Sequence, residues 1–207
     1  MCGRYYIEIS DAELNEIMEE IKRHQAHQPD DGQLSFKLEG DVYPTDIVPV
    51  MTRPSEFSLM RWGFSGFRSS GGDKAVKPIK PIINARSETI MEKPTFRQSV
   101  TERRCLIPAS GYYEWAGKGT AKTKYRLYLP NRMMFLAGCY RIEHDSIPSQ
   151  NIPCFVVLTR EAAPAITDIH DRMPVIFDRN IGEMWLDDGI DIIGQSLTRL
   201  DYAVAQQ

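Results

Sequence analysis

Arg103-Arg104-Cys105-Leu106-Ile107 and, after a short break, Gly111-Tyr112-Tyr113-Glu114-Trp115 are the stretch on which the fold turns. Both are short apolar or aromatic runs, and the break between them is only a few residues, so they read as successive strands. In the second, alternation places Tyr112 and Glu114 on one face and Tyr113 and Trp115 on the other. The same rhythm continues downstream in Lys124–Leu129, Met133–Tyr140 and Ile152–Thr159, with residues 116–123 as a turn. Upstream, Tyr5–Ile7, Asp41–Thr45, Ile47–Met51, Phe57–Phe64 and Pro81–Ile83 are further strand candidates; Pro49 marks the Ile47–Met51 run as an edge strand. Helices are few. Ser10 and Glu13 form a capping box ahead of Leu14, Ile17, Met18 and Ile21, and this helix is expected to end near His24. Short helices are expected near Ser87, from Pro94 and over Ala162–Asp168. Asn180 is expected to cap a last helix, with Met184, Trp185 and Leu186 facing inward. Val175–Phe177 is one more strand. Residues 25–35 read as a loop, 65–80 as a mobile basic loop inside the domain, and about 190–207 as a tail of no assigned structure. Many short strands with a few helices between them indicate an α+β fold: one domain over residues 1–207, built on a largely antiparallel sheet or barrel core.

The composition excludes several classes. The chain has 207 residues, 42% of them apolar and 26% charged, as in ordinary globular proteins. No apolar run approaches the roughly 20 residues that span a membrane, and no signal-peptide core is present at the start. A cytoplasmic location, nucleoid-associated in a bacterium or phage host, is the expectation, with Cys105, Cys139 and Cys154 as buried small hydrophobes in a reducing compartment. The four histidines, at 24, 27, 144 and 170, show no zinc-ligand spacing. Net charge is −3, yet residues 61–126 hold 14 Lys/Arg against 5 Asp/Glu, and the remainder 11 against 23. A basic middle between acidic flanks can focus an anionic ligand, if it becomes a surface patch.

The beginning of the chain carries the most unusual chemistry. In Met1-Cys2-Gly3-Arg4, the small second side chain favours removal of the initiator methionine. Cys2 then offers an α-amine with a pKa of about 7.7–8.0, so that roughly a tenth is neutral at pH 7. Amine and thiol together capture an aldehyde: the amine forms a Schiff base and the thiol closes a five-membered thiazolidine. Gly3 lets the chain bend closely, and Arg4 adds a fixed cation. The alternative is an unremarkable frayed terminus.

Three other polar groups follow or interrupt apolar strands. Glu114, flanked by aromatics, is placed for a raised pKa and proton transfer. His170 offers an imidazole that can both donate and accept a proton, and Asn84 can hold a sugar or phosphate oxygen. Arg4, Arg86 and Arg172 lie next to these positions and suggest phosphate clamps. Each also admits a structural role.

Taken together, Met1-Cys2-Gly3-Arg4, Asn84-Ala85-Arg86-x-Glu88-Thr89, Gly111–Trp115 and His170-Asp171-Arg172-Met173-Pro174 resemble the SOS response-associated peptidase (SRAP) family over residues 1 to about 190. The resemblance implies a protein that crosslinks to abasic sites in single-stranded DNA through the Cys2 thiazolidine. It implies that Asn84 orients the opened sugar, Glu114 acts as acid and base, and His170 assists ring opening. It implies DNA contacts by Arg4, Arg86 and Arg172, with Trp62 or Phe67 as an aromatic wedge. Cleavage ahead of Cys2 would be the peptidase activity, and weak lyase activity would follow from the Schiff base. The chemistry requires no metal or cofactor, the protein is expected to be a monomer, and no membrane partner is expected. Val42-Tyr43-Pro44-Thr45 departs from the Asn-x-Ala-Pro of many members. Two other readings stay open: an N-terminal-nucleophile amidohydrolase using the Cys2 thiolate, and a non-covalent single-stranded nucleic-acid reader.

Overall fold

The computed structural model describes residues 2–8, 15, 19, 35–65, 80–117, 122–144 and 151–206. Of the expected first helix only Asn15 and Glu19 fall among these, and both are helical. The rest of that helix, nearly all of the 25–35 loop and residues 66–79 of the basic loop lie outside the described residues.

Thirteen strands run through the described residues: β1 Tyr5–Ile7, β2 Gly40–Val42, β3 Ile47–Arg53, β4 Glu56–Trp62, β5 Asn84–Arg86, β6 Arg104–Ala109, β7 Gly111–Ala116, β8 Thr123–Tyr128, β9 Met134–His144, β10 Asn151–Glu161, β11 Arg172–Pro174, β12 Ile176–Phe177 and β13 Asp201–Val204. Two α-helices lie wholly among the described residues, α1 Pro94–Glu102 and α2 Arg179–Asp188. The larger sheet runs β10-β4-β3-β6-β9, and β9 pairs back with β10, closing a five-stranded barrel. All its seams are antiparallel except β10–β4. The second sheet, β13-β8-β7-β1-β2, is antiparallel throughout.

The sequence shows why the barrel is central. Met134–Cys139 and Cys154–Thr159 are buried at every position. Apart from Thr159 at the end of the second, these are unbroken apolar runs, as strands covered on both faces require. By contrast, β8 buries Leu127 between half-buried neighbours, as a one-sided strand does. Gly138 sits where three strands crowd: a Cβ there would lie 2.6 Å from Ile107 Cδ1 and 2.8 Å from the Val156 carbonyl. One contiguous core includes Tyr5, Tyr112 and Leu127 from the second sheet and the apolar residues of the barrel. Cys105, Cys139 and Cys154 form no disulfide and are fully buried within it.

Several expectations need correction. β3 is not an edge strand: it lies between β4 and β6 in the barrel. Pro49 is tolerated because the β3–β6 ladder consists of the Met51–Leu106 pair and so leaves the Pro49 position outside it. Asp178, not Asn180, caps α2, accepting the Ile181 N–H at 3.0 Å. Trp185 is buried as expected and donates its indole N–H to the Cys105 carbonyl, but Met184 is 40% exposed. The expected helix over 162–168 contracts to one 3₁₀ turn at Pro164–Ile166. The unassigned tail contains a 3₁₀ segment, Gly189–Gln195, and then β13, which pairs with β8. Among the described residues no helix is long and apolar enough to cross a membrane.

Candidate active site

The site forms where the two sheets meet, at the start of the chain. β1 pairs with β7 so that Tyr5 faces Tyr112. Just before β1, the Arg4 carbonyl accepts the Tyr113 N–H at 2.9 Å and the Cys2 thiol at 3.9 Å. Cys2 is thereby fixed beside β7, with no exposed surface. From the barrel side, β5 lies parallel to β10 with Asn84 opposite Val157. Asn84 Nδ2 donates to the Cys2 carbonyl at 2.9 Å. A side chain 82 positions away in sequence thus holds the second residue in place.

The alternation of β7 turns Tyr112 and Glu114 inward, at 0% and 4% exposure, and leaves Trp115 half-buried on the other face. Burial raises the Glu114 pKa, opposed by the positive chain terminus and by His170. Burial also pushes the Cys2 thiol far above its ordinary range, and the Glu114 charge adds to this. At neutral pH Cys2 therefore carries a protonated thiol. Glu114 thus stands within electrostatic reach of both Cys2 and His170.

His170 is oriented by backbone. Its Nδ1 accepts the Arg172 N–H at 2.9 Å, which places the proton of the neutral ring on Nε2. Nδ1 also lies 2.8 Å from Asp171 Oδ1, a contact that would need a proton on the same nitrogen. The backbone donor prevails, because Arg172 is fixed in β11 whereas the Asp171 side chain is 86% exposed and can turn into water.

The arginines differ in how committed they are. Arg4 lies over the rings of Tyr43, at 4.4 Å, and Trp115, at 5.2 Å, with Asp41 3.8 Å away. Arg86 is exposed at the end of β5. Arg172 is chelated by both Glu88 oxygens, at 2.7 and 2.9 Å, and donates to the Thr159 carbonyl, so its charge is largely satisfied within the fold. Trp62 is misplaced as a wedge for DNA: it is wholly buried, packs against Tyr5 and Phe155, and donates its indole N–H to the Ile83 carbonyl. Phe67 lies outside the described residues. Residue-by-residue reading missed Tyr5 and Tyr112, whose buried hydroxyls have no hydrogen-bond partner among the described residues. The alternation that turns Glu114 inward carried the signal for Tyr112. Among the described residues no three His, Cys, Asp or Glu side chains are grouped to hold a metal ion.

The abasic site processing protein YoqW of Bacillus subtilis is 32% identical over 200 residues, covering 90% of this chain and 80% of that protein. YoaM, an abasic site processing protein of the same organism, is 32% identical over 194 residues, covering 90% and 79%. A crystal structure from Bacteroides thetaiotaomicron shares the fold with a TM-score of 0.72 at 22% identity, covering 99% of this chain and 92% of that one. The family model described as SOS response associated peptidase matches residues 1–201, and the chain belongs to that family.

Proposed function

We propose that the protein processes abasic sites in single-stranded DNA by capturing the sugar aldehyde on Cys2 as a thiazolidine. The observation that carries this reading is the Asn84–Cys2 hydrogen bond, which holds the start of the chain beside Glu114 and His170. A terminus left to fray would lie elsewhere.

Removal of Met1 frees the Cys2 nitrogen. The neutral amine adds to C1 of the ring-opened sugar, giving a carbinolamine. Loss of its hydroxyl as water, with a proton from Glu114, leaves a Schiff base. The raised pKa of Glu114 suits it to this task, because a carboxyl that stays protonated nearer neutrality can act as an acid there. The proton on the Schiff-base nitrogen returns to Glu114, and the Cys2 sulfur then bonds to C1 while the thiol proton passes to the nitrogen, closing the ring. One water is lost overall. His170, with its proton on Nε2, is the group proposed to protonate the sugar oxygen on ring opening. Arg4 and Arg86 are proposed to meet phosphates. Arg172 is proposed mainly to position His170, through its own backbone N–H. Abstraction of a proton at C2 of the Schiff base would expel the 3′ phosphate, giving a minor lyase activity. A thiolate amidohydrolase fits less well, because burial keeps the Cys2 thiol protonated.

The test is incubation with a single-stranded oligonucleotide bearing one abasic site, followed by denaturing electrophoresis. A stable adduct that disappears in Cys2→Ala supports the proposal. Equal adduct in both proteins, or none with the unaltered protein, refutes it.

A further inference from the structure

Among the buried polar atoms that lack a hydrogen-bond partner among the described residues, three belong to uncharged side chains next to Cys2: Tyr5 Oη, Tyr112 Oη and Asn84 Oδ1. Such atoms are rare in folded proteins, because a group removed from water without a partner is costly. These three belong to residues gathered at Cys2. Asn84 holds the Cys2 carbonyl through its other amide atom. Tyr5 and Tyr112 face each other across β1 and β7, each fully buried. Burial pushes both phenols well above their ordinary range, so each keeps its proton and can donate it. The unused capacity is therefore two O–H donors and one amide acceptor. A hydroxyl group, with one proton and two lone pairs, matches that set completely. A carbonyl or phosphate oxygen cannot donate to Asn84 Oδ1.

We propose that Tyr5, Tyr112 and Asn84 form a hydroxyl subsite that makes Cys2 selective for aldehydes carrying a hydroxyl on the fourth carbon. The proposal rests on the abasic-site reading for its natural ligand. In an abasic nucleotide within DNA, C3 and C5 bear phosphates, so the oxygen on C4 is the free one. Ring opening breaks its bond to C1, the C1 hydroxyl loses its proton to become the aldehyde, and the C4 oxygen gains a proton. Holding that new hydroxyl would orient C1 toward the Cys2 nitrogen and oppose reclosure of the sugar. Tyr5 and Tyr112 thus act as positioning and specificity residues.

The test needs no DNA. Processed protein is given 4-hydroxybutanal and butanal in competition, and the two adducts are separated by intact mass. A peptide with the sequence of residues 2–7 gives the intrinsic ratio of the two aldehydes. The expected result is a preference for the hydroxylated aldehyde over the peptide's ratio, reduced about tenfold in the Tyr5→Phe, Tyr112→Phe double variant and partly in Tyr112→Phe alone. Because the lost hydroxyls have no partner among the described residues, the thermal midpoint should be unchanged or raised. A preference equal in the unaltered protein and the variants overturns the proposal. So does a lowered midpoint in either variant, which would mean that the hydroxyls serve the fold. Failure to crosslink abasic DNA, with the aldehyde preference present, would sink the abasic-site reading and leave the subsite standing.

Discussion

Glu114 is a carboxyl held where ionisation is disfavoured, and this has consequences for both rate and stability. Replacing it with glutamine removes the proton donor while keeping shape, so adduct formation with an abasic oligonucleotide should slow about 100-fold. A single-turnover time course checks this. The stability effect has a definite sign. Burial raises the pKa of Glu114 in the folded state above its unfolded value, so the folded protein binds this proton more tightly than the unfolded chain. The cost of ionising it is absent below the ordinary carboxylate range and fully present above the folded pKa. Glu114→Gln should therefore compare more favourably with the unaltered protein at pH 8 than at pH 4. Thermal melts at the two pH values measure this, and a larger relative gain at pH 4 would contradict the assignment. That Glu114 points inward was legible in the alternation of residues 111–115. Burial also explains the fate of Trp62: its neighbours Tyr5 and Phe155 come from strands distant in sequence, so no local pattern marks it as core.

Among the elements, the two helices depend on one side chain that sequence patterning does not reveal. Arg104, at the start of β6, donates to the Val100 and Thr101 carbonyls at the end of α1. It also donates to the Trp185, Leu186 and Asp187 carbonyls at the end of α2. One guanidinium thus caps both C-termini, where helices leave carbonyls unpaired and favour a cation. Arg104→Met keeps most of the stem and removes the donors, and should cost about 3 kcal/mol in a urea denaturation. A loss below about 0.5 kcal/mol would show that water replaces the cap. Most strands were readable from their apolar runs, including the pair that frames the site. The β3 edge assignment failed because a proline signals only that its own N–H is unpaired. Whether the strand has neighbours on both sides depends on register, which no local rule supplies. The cap of α2 slipped by two residues because Asp178 and Asn180 are equally good capping types.

At the scale of the whole molecule, the barrel carries the site. β10 receives β5 and so fixes Asn84, while the closure of β9 on β10 supports it from behind. Gly138 lies in that closing seam, and Gly138→Ala would press a methyl group into Ile107 and the Val156 carbonyl. The expected cost is about 2 kcal/mol in urea denaturation, because a backbone carbonyl cannot step aside as a side chain end can. The α+β class and the barrel alternative followed from strand spacing alone. Closure, and the meeting of residues 2, 84, 114 and 170, did not, because they arise from long-range pairings. The resemblance carried by four separated motifs supplied what local physics could not. The most direct measurement is the intact mass and peptide map of the protein after reaction with a single-stranded oligonucleotide bearing one abasic site, without reductant. The expected product is the sum of the protein lacking Met1 and the oligonucleotide, less one water, with the crosslink on Cys2. A retained methionine in that product, a crosslink on a lysine, or an adduct seen only after borohydride reduction would contradict it.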